Sequence, residues 1–163
     1  MKLSRVHGAG YREAIGFALG LLPVPIADRL SHVQFVCGVD PVFAGLHDTA
    51  TTDDGRSYGL TAHCAYGWGL PRPASDRVTT IVLPIVPLPS TVVHELGHAL
   101  HETLGFDPEA EPVTEYAKTN RWEAFAEAFV AWRFWGYGDE PDDRTVWLLD
   151  AMAAGREVPA VRL

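Results

Sequence analysis

The sequence predicts an α+β fold in which a small mixed β-sheet packs against helices. After a first helical segment, three stretches rich in β-branched and aromatic residues come in succession, and the remaining segments with helical periodicity follow them. Strands grouped before helices are typical of α+β proteins, whereas a parallel α/β fold would alternate the two. With 163 residues and no internal repeat or long linker, we expect a single domain over residues 1–163.

A first helix, over residues 11–22, is amphipathic and ends where Pro23 cannot continue it. Strands are expected at residues 32–37, 60–68 and 78–83. Between the first two strands, a polar segment (residues 47–58) contains the Asp54-Gly55 turn signal and predicts a loop. Further helices are expected at residues 90–104, 120–135 and 142–154. The predicted core includes four tryptophans: Trp122, Trp132, Trp135 and Trp147.

The charge balance disfavours some classes of partner. Lys and Arg number 13 and Asp and Glu number 21, so the net charge of −8 argues against nucleic acid and anionic membranes. No stretch reaches the length of a transmembrane helix. The apolar run at residues 14–22 follows basic residues as in a signal peptide, but Glu13 and Pro23 interrupt that pattern and favour a helix. We therefore expect a cytoplasmic monomer, with secretion by another route left open.

Two cysteines, Cys37 and Cys64, fall in strand-like stretches. Buried thiols are the favoured state, and a disulfide between neighbouring strands stays open. Cysteine usage thus favours an intracellular protein without deciding the compartment.

The most specific chemical signal is the segment His94-Glu95-Leu96-Gly97-His98, which has the HExxH pattern. Positions i and i+4 share one face of an α-helix, so His94 and His98 can reach one metal ion. Neutral imidazole suits Zn²⁺, which takes about four ligands at roughly 2.0–2.3 Å. Glu95 can contact a water on the metal without ligating the metal, which is the position of a general base in zinc hydrolases. The pattern predicts one Zn²⁺ per chain.

The surroundings of the motif distinguish it from two histidines on a solvent-facing helix. Ser90 can act as an N-cap, with Pro89 just outside the helix. Gly97 inside a helix costs about 1 kcal/mol relative to Ala, which suggests close approach of another backbone or of substrate. Apolar residues occupy nearly every side: Val92, Val93, Leu96, Ala99, Leu100 and Leu104. The helix is therefore predicted to be largely buried, and histidines on it need partners.

Two histidines leave a catalytic zinc site one protein ligand short. A metzincin would have a glycine and a histidine three and six residues after His98, where this chain has His101 and Leu104. A peptide deformylase would supply an upstream cysteine, but the residues around Cys64 do not match its motif. The remaining class uses a glutamate, and the candidates are Glu102, Glu109, Glu111, Glu115, Glu123 and Glu127.

Glu123 and Glu127 are favoured because they lie four residues apart on one face of a predicted helix. One can bind the metal while the other accepts a hydrogen bond from the far nitrogen of a ligating histidine. Asn120 and Glu123 also fit a helix capping box, which would make Glu127 the ligand. Glu102 lies too far along the zinc helix, and the other three fall in a proline-punctuated loop. The residues alone leave Glu123 and Glu127 open.

Residues 113–129 resemble the second signature of one gluzincin group, which comprises the catalytic domain of anthrax lethal factor and the bacterial Pro-Pro endopeptidases. The matching positions are Tyr116, Asn120, Glu123, Phe125, Ala126, Glu127 and Phe129. The resemblance covers residues 94–129 and implies a minimal zincin fold. It implies that Glu123 ligates zinc, that Tyr116 stabilises the oxyanion and that Glu127 orients a histidine ligand. One departure is the short connection of 24 residues (99–122) between His98 and Glu123.

The motif and the resemblance together predict a zinc metalloendopeptidase that acts on peptide or protein substrates, with Glu95 and Tyr116 as catalytic residues. The substrate is expected to lie extended along residues 60–68 as an edge strand. His63 and His101 could line the cleft, although a structural or exposed position is favoured for each. An inactive zincin-fold binding or assembly module is the main alternative, and a deformylase-like hydrolase is a lesser one. The intact Glu95 argues against the inactive module.

Overall fold

The computed structural model describes residues 1–6, 8–37, 63–66, 79–84 and 86–158, and within them it leaves out the side chains at 4–5 and 63–66. In these ranges the chain forms four strands and five α-helices that enclose one main hydrophobic core. This combination of helices with one small sheet is compatible with the predicted α+β class. The predicted loop at residues 47–58 and both ends of the predicted strand at 60–68 lie outside the described residues.

The sheet is mixed and has the spatial order β1-β2-β4-β3. Its strands are β1 (Lys2–Arg5), β2 (Gln34–Cys37), β3 (His63–Tyr66) and β4 (Thr79–Leu83). β1, β2 and β4 run parallel, whereas β3 pairs antiparallel with β4, with His63 opposite Val82 and Tyr66 opposite Thr79. Every residue of β4 is buried, as expected for a strand paired on both sides. β3 is an outer strand of the sheet that the described residues form.

The helices are α1 (Ala9–Gly20), α2 (Val24–Arg29), α3 (Pro89–Leu104), α4 (Arg121–Arg133) and α5 (Asp143–Ala153). A single 3₁₀ turn, Tyr116–Thr119, precedes α4. α3 is central, because it packs against α1 and α4 and also contacts β3 and β4. Throughout the described ranges, each helix is too short or too polar to cross a membrane.

Two elements, β1 and α2, have no counterpart among the predicted ones. β1 is short and polar, and it forms through non-local pairing that places Lys2 opposite Gln34. α2 begins directly after Pro23 and has Pro25 in its first turn, where a helix does not need the missing N–H. The prolines that end the first helix therefore also start the second.

The N-terminus of α3 differs from the predicted one. Pro89 lies inside the first turn and Leu88 is the N-cap residue, with no side-chain hydrogen bond to the helix. Ser90 is thus within the helix and is not its cap. Proline is favoured at this position because its fixed backbone angle suits a helix and its absent N–H is not needed there. The correction moves the helix start by one residue and leaves the register of the HExxH segment unchanged.

The assignment of four tryptophans to the core is wrong. Trp135 is fully exposed, because α4 ends at Arg133 and leaves this residue beyond the helix. Trp122 and Trp147 are about half exposed. Trp132 is only partly buried, and its indole N–H donates to a carboxylate of α5 at 3.1 Å. The aromatic side chains that are fully buried in the core are phenylalanines instead: Phe35, Phe125 and Phe129.

Gly97 allows α3 and α4 to meet closely. A Cβ atom on Gly97 would lie 2.9 Å from Cα of Ala126 and 3.3 Å from its carbonyl oxygen. These distances are too short for a real side chain against backbone, so the two helices reach this separation only because residue 97 is glycine. The expected close approach of another backbone is confirmed, and that backbone is α4.

Candidate metal centre

Three side chains from two helices converge where α3 contacts α4. Nε2 of His94 lies 3.1 Å from Nε2 of His98, one turn further along α3. Oε2 of Glu123, in the first turn of α4, lies 3.0 Å from Nε2 of His94 and 3.3 Å from Nε2 of His98. Within the described part of the chain, this group of His and Glu side chains has the geometry to hold a metal ion.

The spacing of the three atoms fits a tetrahedral metal ion. Ligands at about 2.0–2.1 Å in tetrahedral geometry lie roughly 3.3 Å from one another, and the observed distances are 3.0, 3.1 and 3.3 Å. Oε2 of Glu123 is buried without an aligned hydrogen-bond donor, although both imidazoles are close to it. Two imidazoles and one carboxylate are a donor set that Zn²⁺ accepts, and three protein ligands are typical of catalytic zinc sites. The residues present therefore fit Zn²⁺.

Asn120 is the N-cap of α4, and the cap does not use the carboxylate of Glu123. The Asn120 side chain accepts hydrogen bonds from the backbone N–H groups of Trp122 and Glu123, at 2.9 and 3.0 Å. The reciprocal half of a capping box would need the Glu123 carboxylate at the backbone N–H of Asn120. That carboxylate lies beside His94 and His98 instead. The helix thus has its cap, and the capping residue does not compete with the metal cluster for Glu123.

Glu127, one turn further along α4, contacts the opposite nitrogen of His94. Nδ1–H of His94 donates to Oε1 of Glu127 at 2.7 Å. With a proton on Nδ1, the lone pair of the imidazole is on Nε2, the nitrogen that faces His98 and Glu123. The structure therefore places the two rival glutamates on different sides of one imidazole, with Glu123 in the cluster and Glu127 behind it.

The electrostatics of the cluster favour a cation. Burial lowers the pKa of His94, but the neighbouring carboxylates of Glu123, Glu127 and Glu95 outweigh burial and raise it to about 10. Burial raises the pKa of Glu123, yet His94 and His98 hold it well below its usual range. The pKa of Glu127 is also lowered, because its hydrogen bonds outweigh its burial. Without a metal the cluster holds a proton, so a metal ion must displace that proton to bind.

The two residues expected to be catalytic lie next to the cluster. Glu95 is buried on α3 and adds to the negative potential at the neighbouring His94. Tyr116 is the first residue of the 3₁₀ turn and keeps 39% of its surface exposed. The centroid of its ring lies 6.0 Å from that of the His94 ring. Tyr116 thus combines partial exposure to solvent with a position close to the His94 ring.

We expect Gly97→Ala to separate α3 from α4 and to weaken metal binding. Alanine gains about 1 kcal/mol of helix propensity, but overpacking against Ala126 typically costs about 1–3 kcal/mol. Because Glu123 moves with α4, we expect Zn²⁺ affinity to fall by about tenfold or more. Chelator competition measures the affinity, and thermal melts measure the stability.

The matched control is Gly16→Ala on α1, since no atom from elsewhere in the chain lies within 4 Å of the place its Cβ would take. That variant should gain about 1 kcal/mol of stability and keep its metal affinity. If Gly97→Ala gains stability and keeps its metal affinity as Gly16→Ala does, the close packing of α3 against α4 is contradicted.

Three of the four remaining glutamate candidates have side-chain partners elsewhere. Glu102 accepts a hydrogen bond at 3.2 Å from a threonine hydroxyl of β4, so it connects α3 to the sheet. Glu109 pairs with Arg144 of α5 at 2.9 Å. Glu115 pairs with Lys118 at the surface. These contacts engage the three carboxylates away from His94 and His98.

His101 is a buried structural residue. Its ring lies between those of Trp122 and Phe125, at centroid distances of 4.2 and 5.0 Å. Nδ1 of His101 is buried without a hydrogen-bond partner in the described structure. Burial lowers the pKa of His101 to about 4, even though the Asp107 carboxylate lies 3.9 Å away. The other histidine considered for the cleft, His63, has no described side chain.

We expect His101→Phe to make the stability of the protein less sensitive to acid. His101 titrates at 6.5 when unfolded and at about 4 when folded. Between these values the unfolded state binds more protons at this residue, so the contribution of His101 to stability falls as the pH falls through this range. At about 1.4 kcal/mol per pKa unit, the change in unfolding free energy between about pH 8 and about pH 5 should be more favourable in the phenylalanine variant than in the wild type by roughly 2 kcal/mol. Urea unfolding of both metal-free proteins at the two pH values measures this difference. The same change in unfolding free energy in both proteins would contradict a buried neutral His101.

Two residues at the site, Thr114 and Tyr137, have no role in the sequence analysis. The Thr114 hydroxyl donates to Oε2 of Glu127 at 2.6 Å, and the Tyr137 hydroxyl donates to Oε1 at 2.9 Å. Tyr137 stands between Gly136 and Gly138, which both have positive φ angles, 79° and 62°. This Gly-Tyr-Gly segment after a helix is the signal that could have indicated a sharp turn back towards the site.

Comparison with protein-family models, with curated proteins and with solved structures gives no match to this chain. The function must therefore be argued from the site itself.

Proposed function

We propose that the protein is a zinc-dependent endopeptidase of the gluzincin type, with a minimal zincin fold. The observation that carries the proposal is the convergence of Nε2 of His94, Nε2 of His98 and Oε2 of Glu123 within 3.0–3.3 Å. Glu95 follows the first of these histidines in the sequence, as a general base in an HExxH hydrolase must. The resemblance of residues 94–129 to the gluzincin signatures supports the same assignment.

Each residue of the site has a role in this proposal. Bound Zn²⁺ would supply Lewis-acid chemistry, lowering the pKa of a water to about 7 and polarising a peptide carbonyl. Glu95 takes a proton from the attacking water and delivers it to the amine nitrogen as the peptide bond breaks. The Tyr116 hydroxyl donates a hydrogen bond to the carbonyl oxygen as that atom gains negative charge, a contribution of about 3 kcal/mol. Glu127 keeps the proton of His94 on Nδ1.

The sheet offers a place for the substrate backbone. β3 is an outer strand that pairs antiparallel with β4, and both strands contact α3. An extended peptide can add to such an edge through main-chain hydrogen bonds. We propose that the substrate lies along β3 and passes the metal centre on α3. The side chains that would select the substrate sequence are not assigned, so Pro-Pro selectivity is not carried over from the resembling group.

Cleavage of a diverse peptide library, read by mass spectrometry, tests this function. We expect internal cleavages with Zn²⁺ present, and we expect a chelator to abolish them and added Zn²⁺ to restore them. Release of formyl groups without internal cleavage would favour the deformylase-like reaction. Zn²⁺ binding without any hydrolysis would contradict the peptidase and favour a binding module. The monomeric state and the cytoplasmic location stay predictions.

A further inference from the structure

The Glu127 carboxylate is enclosed by three hydrogen bonds from three different parts of the chain. His94 Nδ1–H and the Tyr137 hydroxyl donate to Oε1, at 2.7 and 2.9 Å. The Thr114 hydroxyl donates to Oε2 at 2.6 Å. Glu127 itself is almost fully buried. Both of its oxygens are therefore satisfied, and only one of the three donors belongs to the metal cluster.

We propose that Thr114 and Tyr137 are positioning residues, which hold Glu127 in the orientation that fixes the His94 ring for metal binding. This inference rests on the metal site of the proposed function. It assigns a task to two hydroxyl groups that neither ligate the metal nor touch the reacting atoms.

The chemistry of the donors supports this task. A buried carboxylate needs hydrogen bonds, because leaving it unsatisfied costs about 1–3 kcal/mol or more. Two neutral hydroxyls satisfy it without adding positive charge, so its negative charge stays available to the Nδ1–H group of His94. A lysine or arginine in their place would neutralise Glu127 and weaken its hold on the imidazole. The Tyr137 hydroxyl contacts Oε1 and the Thr114 hydroxyl contacts Oε2, so the two hydroxyls together set the plane of the carboxylate.

Thr114 also connects this network to the segment that carries Tyr116. Its hydroxyl oxygen accepts a hydrogen bond from the backbone N–H of Ala117 at 3.0 Å, in the 3₁₀ turn that starts at Tyr116. The same side chain thus contacts Glu127 on one side and the Tyr116 turn on the other. Loss of the Thr114 hydroxyl should therefore disturb both His94 and Tyr116, whereas loss of the Tyr137 hydroxyl should disturb mainly His94.

The backbone joins the two segments that carry these hydroxyls. The N–H group of Asp139 donates to the carbonyl oxygen of Val113 at 2.8 Å. A Cβ atom on Gly138 would lie 2.5 Å from that same oxygen. The turn after α4 can approach residue 113 only because Gly138 has no side chain. The segments that carry Thr114 and Tyr137 are therefore joined directly to each other.

Zn²⁺ affinity, measured by competition with a chromophoric chelator, tests the inference without any substrate. Thr114→Val and Tyr137→Phe should each weaken binding several-fold, less than the roughly 10–100-fold expected for losing Glu127, the partner that contacts the ligand itself. Thr114→Ser keeps the hydroxyl and should bind nearly as tightly as the wild type. Thr103→Val and Tyr11→Phe are matched controls, because Thr103 donates within α3 to Leu100 and Tyr11 belongs to α1. The controls should keep the wild-type affinity.

Thermal melts of the metal-free variants separate positioning from folding. A merely structural role would lower the melting temperature while the folded protein kept its Zn²⁺ affinity, and that result overturns the inference. Wild-type affinity in Thr114→Val or in Tyr137→Phe overturns it as well. If these two variants keep Zn²⁺ but Glu123→Ala loses it, the metal site stands and only the positioning role fails. If Glu123→Ala also keeps Zn²⁺, the metal site and this inference fail together.

Discussion

Glu95→Gln is expected to keep Zn²⁺ bound while peptide cleavage falls by about 10²–10⁴-fold, the usual contribution of a general base. Glutamine has nearly the same shape as glutamate but cannot take a proton from water. The three atoms that converge on the metal position belong to His94, His98 and Glu123, so the substitution leaves that set intact. Metal content after dialysis and the rate of cleavage of one library-derived peptide, measured on the same sample, give both quantities.

Glu102→Gln is the matched control for this experiment. Glu102 also lies on α3, but its carboxylate accepts a hydrogen bond from Thr79 of β4 and is not part of the cluster. This control should keep both metal and activity. Equal cleavage by the wild type and by Glu95→Gln would end the peptidase hypothesis, whatever the metal content.

Glu123→Ala is expected to weaken Zn²⁺ binding more than Glu127→Ala does. Glu123 supplies one of the three converging atoms, whereas Glu127 contacts only the far nitrogen of His94. Losing the orienting carboxylate should cost about 10–100-fold in affinity, and losing a ligand should exceed that range. Chelator competition measures both variants, with Glu115→Ala as a control, because Glu115 is a surface residue paired with Lys118. Greater metal loss in Glu127→Ala would show that the ligand and its support are reversed.

The parts of the site that follow local geometry could be predicted from the sequence. His94 and His98 share a helix face because of the helical repeat alone, and the helix start at Pro89 in place of Ser90 does not alter that. Gly97 predicts a close neighbour because glycine inside a helix is otherwise unfavourable. Which glutamate approaches the histidines is not a local property. Glu123 fits a capping box and a ligand equally well, and only the packing of α4 on α3 places it beside both imidazoles.

Contacts that depend on the turns between elements could not be predicted. Thr114 and Tyr137 lie 23 residues apart, and their meeting at Glu127 depends on turns before and after α4. Helical periodicity indicates which face of a helix is apolar but not where the helix ends. It therefore places Trp135 in the core, although this residue lies beyond the end of α4 and is exposed. β1 forms through its pairing with a strand about 30 residues later, and four residues, three of them polar, carry no signal of that pairing.

Anomalous diffraction at the zinc absorption edge, from crystals grown with Zn²⁺, tests the central claim most directly. We expect one strong peak per chain, about 2.0–2.2 Å from Nε2 of His94, Nε2 of His98 and Oε2 of Glu123. A peak ligated by a cysteine sulfur or by Glu127, or a protein with no peak between α3 and α4, would contradict the site described above.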